Sequence, residues 1–172
     1  CVIKDNIELF VDKYNKWSTY TPEENSVLVV YSSVYGGTER VAEILAAKLA
    51  DKGVKNIKMF DVSYNHYSYV LAEAFKYSHI VLATTTYNAG IFESMEIFLN
   101  VLVSHNLQNR KFVLIENGSW APVCGGQMRT KLESVKNTEI LNDVFSVKST
   151  LKEQQLAELD NVVITIEKSL NS

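Results

Sequence analysis

Ser33, Gly36, Gly37 and Thr38 stand in the segment SSVYGGTER (32–40), between an apolar run, VLVVY, and the stretch VAEILAAKLADKG. Backbone N–H groups in a tight turn can converge on an anion, and a helix that follows adds the positive end of its dipole. Two adjacent glycines permit close backbone approach and positive φ. Ser33, Tyr35 and Thr38 can add hydroxyl donors, and no lysine or arginine precedes Arg40. The chemistry is that of a terminal phosphate held by neutral donors. Neither G-x-x-x-x-G-K-[ST] nor G-x-G-x-x-G is present, so a P-loop and a dinucleotide fingerprint are not supported. A plain glycine turn with Thr38 as helix N-cap is the competing reading of this segment alone.

Two further segments have unusual composition: TTTYNAGIFES (84–94) and ENGSWAPVCGG (116–126). Tyr87 can stack on a planar ligand, while Asn88 and the backbone at Ala89–Gly90 can bond its polar edge. Trp120, beside Gly118 and Ser119, can cover an aromatic ring. Taken singly, Tyr87 could be a surface tyrosine and Trp120 a core residue. Taken with the first segment, they describe a ligand with a phosphate tail and a flat ring, a flavin mononucleotide.

The elements that must position these segments follow from periodicity. Short apolar, β-branched runs at 26–32, 57–62, 79–85, 111–117 and 144–149 read as strands, several of them buried on both faces. Helical spacing predicts helices over 38–52, 68–77, 93–105 and 124–136. A last helix is expected from Thr150, which forms a capping-box pattern with Glu153. Gly53 stands where a helix C-terminal glycine belongs. Alternating strands and helices imply an α/β fold with a parallel sheet and helices on both faces. For five strands the common doubly wound order is 2-1-3-4-5, a flavodoxin-like arrangement. Ligands of such sheets sit beyond the carboxyl ends of the strands, at the switch point beside strand 1. The three segments follow strands 1, 3 and 4.

Residues 5–20 place Ile7, Phe10, Val11, Tyr14 and Trp17 at helical spacing, and the polar TPEENS follows. The division expected is a helix and linker over 1–23 and the main domain over 24–172. The chain begins at Cys1 rather than methionine, which points to a piece of a longer protein. A net charge of −3 gives no electrostatic reason to expect nucleic acid. No apolar run reaches the roughly 18 residues of a membrane span, and the start lacks a signal-peptide pattern. Cys1 and Cys124 show no metal or redox spacing. The expectation is a cytoplasmic setting.

The sequence resembles a family at several points. SVYGGT is similar to the flavodoxin phosphate signature [ST]-x-[TY]-G-x-T. TTYNAGIFES resembles a PTYN-x-G-[IL]-F-P loop of flavodiiron proteins (A-type flavoproteins), and NGSW resembles their tryptophan-bearing flavin loop. The Y-x-x-W of Tyr14 and Trp17 looks like the junction before their flavodoxin domain. The likeness runs over essentially the whole chain. It implies an FMN-binding electron-transfer domain. In that family the domain serves a di-iron site, in a metallo-β-lactamase-like domain absent here, that reduces dioxygen or nitric oxide. It further implies partners: that di-iron domain, a redox partner such as rubredoxin, and a homodimer.

By the same resemblance, Ser33 and Thr38 with the backbone of Val34, Tyr35, Gly36 and Gly37 would hold the phosphate. Thr86, Tyr87, Asn88, Ala89 and Gly90 would line the ring, and Asn117, Gly118, Ser119 and Trp120 would cover it. No catalytic residue and no metal ligand is expected, because His66, His79 and His105 are scattered. Thr85 stands where the family has proline, implying a less rigid loop. Glu93 stands where a later proline is usual, and a carboxylate near the ring would lower its potential. Gly37 replaces a frequent asparagine. Two alternatives stay open: a free-standing flavodoxin shuttle, and an FMN-dependent NAD(P)H or quinone reductase. A phospho-acceptor receiver shares the strand order, but strand 1 ends in YSS and strand 3 in TTT, without the acidic residues it needs.

Overall fold

The computed structural model describes residues 5–172. Four strands form the parallel heart of the sheet. They are β1 (Glu24–Tyr31), β2 (Lys58–Asp61), β3 (Tyr77–Tyr87) and, after a two-residue strand β4 (Gly90–Ile91), β5 (Lys111–Asn117). Their order is β2-β1-β3-β5. Two short strands, β6 (Glu139–Ile140) and β7 (Phe145–Val147), complete the edge beside β5. The doubly wound order expected from the sequence is present, with two corrections.

The first concerns the edge strand. The expected 144–149 is only the second half of it. β6 pairs Lys111 and Phe112, β7 pairs Ile115 to Asn117, and the amide of Asn142 fills the gap. Its Oδ1 accepts the Leu114 N–H and its Nδ2 donates to the Leu114 carbonyl, both at 3.0 Å. One side chain thus substitutes for a strand residue and satisfies the β5 backbone where the edge is interrupted.

The second concerns the last helix. The Thr150–Glu153 capping box does not form, because Thr150 N–H turns back to the Lys148 carbonyl. A single 3₁₀ turn over Glu153–Gln155 leads into α6 (Leu156–Leu170) instead. Gln155 Oε1 accepts the Lys152 N–H at that start.

The apolar strand runs are buried on both faces, as their composition requires. On one face Leu28, Val30, Ile80, Leu82, Phe112 and Leu114 pack against α3 (Tyr67–Ala74), α4 (Glu93–Ser104) and α5 (Cys124–Glu133). On the other face Val27, Val29, Val81, Val113 and Ile115 meet α2 (Gly37–Asp51) and α6. Met95, Phe98, Leu99 and Leu102, four residues of one α4 stripe, are fully buried.

α1 (Ile7–Ser18) forms where helical spacing predicts it, yet none of its residues is buried. Its stripe, including Phe10, Tyr14 and Trp17, faces solvent. The connector that follows is bonded to the domain rather than free of it. Glu23 and Glu24 N–H both donate to the Lys76 carbonyl. The Tyr20 carbonyl accepts from Arg110 Nη1 at 2.7 Å.

Candidate functional site

The turns after β1, β3 and β5 meet at the carboxyl end of the sheet, where the sequence places its unusual segments. β1 ends in two serines with different fates. Ser32 is buried, its hydroxyl bonded to Thr84 Oγ1 at 2.7 Å and its N–H to the Ala83 carbonyl. It closes the strand against β3. Ser33 Oγ is also buried, but it has no hydrogen-bond partner among the described residues. A buried hydroxyl without a partner is uncommon and costs about 1–3 kcal/mol.

Gly36 caps α2 at φ +81°, a left-handed conformation that suits glycine, and no side chain bonds the helix N-terminus. Thr38 is therefore not the cap; it lies one residue inside the helix and is buried. The N-terminus of α2, through Gly37 and Thr38, borders a cavity of about 150 Å³. Ser33, Val34, Tyr35, Gly37 and Thr38 line one side of it. Thr85, Asn117, Ser119, Ser149 and Thr150 line the other.

The segment after β3 is a tight hairpin. Thr86 pairs Ile91 and Tyr87 pairs Gly90 in antiparallel register, with Asn88 (φ 48°) and Ala89 (φ 58°) as the two turn residues. Consecutive positive φ values define the turn whose twist matches a hairpin. The ladder and a bond from Gln127 Nε2 to the Ala89 carbonyl at 3.0 Å hold this loop. Thr86 Oγ1 accepts the N–H groups of Val123 and Cys124 at 3.0 and 3.2 Å. Its hydroxyl oxygen thus ties the second segment to the start of α5.

The third segment leaves Trp120 95% exposed, so it is not a core residue. A second cavity of about 360 Å³ lies between Thr86, Asn88 and Ala89 on one wall and Gly118, Ser119 and Trp120 on the other. Ser119 lines both cavities. Beneath this segment Glu116 accepts the Gly125 N–H at 2.8 Å and a hydrogen bond from Ser146 Oγ, which anchors α5 to β5 and β7.

Most of the residues singled out in the sequence converge. Tyr87 and Gly90 belong to the hairpin but line neither cavity; Tyr87 packs edge-on against Phe92. Glu93 opens α4, is exposed and lines neither cavity, so nothing places its carboxylate on a ligand. Four lining residues were not singled out for the site in the sequence. Ser149 was expected to end a strand and Thr150 to cap the last helix, while Ala121 and Val123 are apolar residues of the loop before α5.

Neither cavity is lined by lysine or arginine, which leaves hydroxyls, amides and backbone N–H groups as the donors. Burial pushes the Cys124 thiol up to about 11, so it stays protonated and unreactive at neutral pH. Tyr31, at the end of β1, is pushed up to about 12 by burial and by Glu39, whose carboxylate accepts its hydroxyl. His66 caps α3 and His105 bonds the Val101 carbonyl. Among the described residues no three His, Cys, Asp or Glu side chains gather as metal ligands.

Comparison with known proteins follows the same lines. The flavodoxin family model matches residues 29–158. A rubredoxin-oxygen oxidoreductase of Megalodesulfovibrio gigas is 26% identical over 106 residues, 62% of this chain and 26% of the relative. The chain spans about a quarter of the length of the curated relatives it matches. Among solved structures, the rubredoxin oxygen:oxidoreductase of Desulfovibrio gigas superposes with a TM-score of 0.86 at 21% identity, over 97% of this chain and 41% of that one. A flavodoxin from the domain Archaea superposes with a TM-score of 0.69 at 18% identity, over 86% of this chain and 99% of that one.

Proposed function

The chain belongs to the flavodoxin family, and from that premise we propose that it is an electron-transfer domain whose FMN occupies the two adjoining cavities. FMN is the cofactor of that family. The residues present fit it. The carrying observation is Ser33 Oγ, a buried donor without a partner that opens on the open N-terminus of α2. A phosphate there supplies the missing acceptor and meets the positive helix end. The second cavity has the form a flat ring needs: a hairpin on one side and a fully exposed indole on the other.

Each residue then has a stated task. Ser33 and the amides of residues 36–38 bind the phosphate without a charged side chain. Asn88 and Ala89 offer backbone groups to the polar edge of the ring. Trp120 covers a face and excludes water from it. Bound FMN supplies the redox chemistry, accepting and releasing one or two electrons. The protein's share is binding, orientation and exposure.

The electron acceptor we propose is a di-iron domain of the kind joined to this fold in flavodiiron proteins. The observation favouring it over a free shuttle is α1. Ile7, Phe10, Val11, Tyr14 and Trp17 are all more than 40% exposed on one short helix. Clustered exposed apolar residues mark a surface that a protein partner covers. The free-shuttle reading leaves that face in water.

Flavin content tests the first part. Purified protein should be yellow, or become so with FMN, and Ser33→Ala should weaken FMN about tenfold while hardly affecting riboflavin. Protein that takes up no FMN under any condition overturns the reading.

A further inference from the structure

We propose that the turn Lys148–Thr150, after the last strand, is a fourth wall of the FMN site, and that Asn117 is the positioning residue that holds it. The proposal rests on the FMN reading above.

The turn is strained. Ser149 adopts φ +65°, and Thr150 N–H bonds the Lys148 carbonyl across it at 2.8 Å. A three-residue turn with a positive φ at its centre is rare, and a residue with a β-carbon adopts it at a cost in free energy. Such a conformation persists only where its surroundings over-determine it.

Asn117 supplies that determination. Its Oδ1 accepts the Ser149 N–H at 2.9 Å and its Nδ2 donates to the Ser149 carbonyl at 3.1 Å. The side chain copies a strand pairing, as Asn142 does three residues earlier on β5. Both ends of the amide are engaged on the turn, which fixes the side chain against Ser149. Ser149 Oγ adds a bond to Ser119 Oγ at 3.1 Å, which links the wall to the tryptophan segment.

The wall reaches the phosphate segment. The Ser149 carbonyl lies so close to Gly37 that a β-carbon there would be 2.0 Å from it, and 3.0 Å from Asn117 Nδ2. Gly37 is glycine because of this contact, not because of its own φ. Ser149 and Thr150 line the same cavity as Ser33. The position of the wall therefore sets the width of the phosphate end. Without its strap the strained turn relaxes, and the phosphate segment 32–40 loses the opposite side of its cavity.

The test is a double-mutant cycle read by FMN and riboflavin titration, with flavin fluorescence as signal. Asn117→Leu keeps the volume and removes the amide. FMN affinity should fall about 10- to 100-fold, as expected for one or two lost hydrogen bonds, with riboflavin changed less than about threefold. Gly37→Ala should cost FMN about tenfold or more in the native background but little further beside Asn117→Leu, because residues in contact are coupled. Equal losses of FMN and riboflavin on Asn117→Leu, or additive losses in the cycle, overturn the wall. If the native protein takes up no FMN, the functional reading falls instead. The wall is then tested by the same cycle in melting temperature, where additive shifts overturn it.

Discussion

The two ends of the sheet treat buried polar groups differently. At the amino-terminal end Arg110 is 1% exposed, and among the described residues no carboxylate pairs with it. Its guanidinium donates to the carbonyls of Ala74, Phe75, Tyr20, Gln108 and Asn109. It stitches the end of α3, the connector after α1 and the entry to β5 into one knot, and burial lowers it only to about 10, so it keeps its proton at neutral pH. Nearby His79 is buried between Ser78 Oγ and Ser169 Oγ, and Lys111 donates to the same Ser169. At the carboxyl end Ser33 Oγ is buried with nothing to bond. Tyr35 and Trp120 there are almost fully exposed. Among the described residues the one other buried side-chain oxygen without a partner, Glu24 Oε2, starts β1 and lines neither cavity. The contrast is between a buried guanidinium that the fold satisfies fully and a buried hydroxyl that it leaves open, the group that FMN completes under the proposal above.

Four experiments probe this contrast. The largest effect belongs to Arg110→Met, which strands several buried carbonyls and should destabilise the domain by about 3 kcal/mol or more. Urea unfolding measures it, and FMN affinity of the folded protein should not change. A loss of affinity without a loss of stability would blur the division between the two ends. Next is Ser33→Ala. FMN should bind about tenfold more weakly, while the ligand-free protein is as stable as before or gains up to about 1 kcal/mol, since an unsatisfied group is removed. A clear loss of ligand-free stability would make Ser33 a structural residue after all.

His79 comes third. Burial, with Lys111 close by, pushes it down to about 4 from an ordinary 6.5. The unfolded chain therefore binds the proton first. The stability this neutral histidine contributes is complete above about pH 6.5 and is lost as the pH falls towards about 4, with roughly 2 kcal/mol gone by pH 5. His79→Gln should flatten that slope in thermal melts between pH 4 and 7, and an unchanged slope would remove His79 from the account. The smallest effect should come from Ser32→Ala, next to Ser33. It breaks the pair with Thr84, so stability should fall by about 1 kcal/mol while FMN affinity stays within about twofold. Adjacent serines would then show the two behaviours side by side.

The sequence alone was enough for the sheet, because apolar runs of strand length must be buried on both faces and the helices between them must cover those faces. It was enough also to bring three segments of unusual composition to one end of the sheet, since glycine and hydroxyl residues follow β1 and aromatic residues follow β3 and β5. The division between Ser32 and Ser33 was half legible: both are serines at a strand end, and only the position of Thr84 across the sheet engages one and leaves the other free. Tertiary structure alone decided three things. Thr86, a residue of the ring segment by spacing, turns its hydroxyl to the α5 N-terminus because β3 and β5 are neighbours. Ser149 and Thr150 line the first cavity because the chain turns back after β7, where Asn117 holds Ser149. Gly37 is glycine because a carbonyl 112 residues later in the chain fills the space of its β-carbon. Periodicity reports which face of an element is buried; it carries no information about which distant backbone atom will press against it.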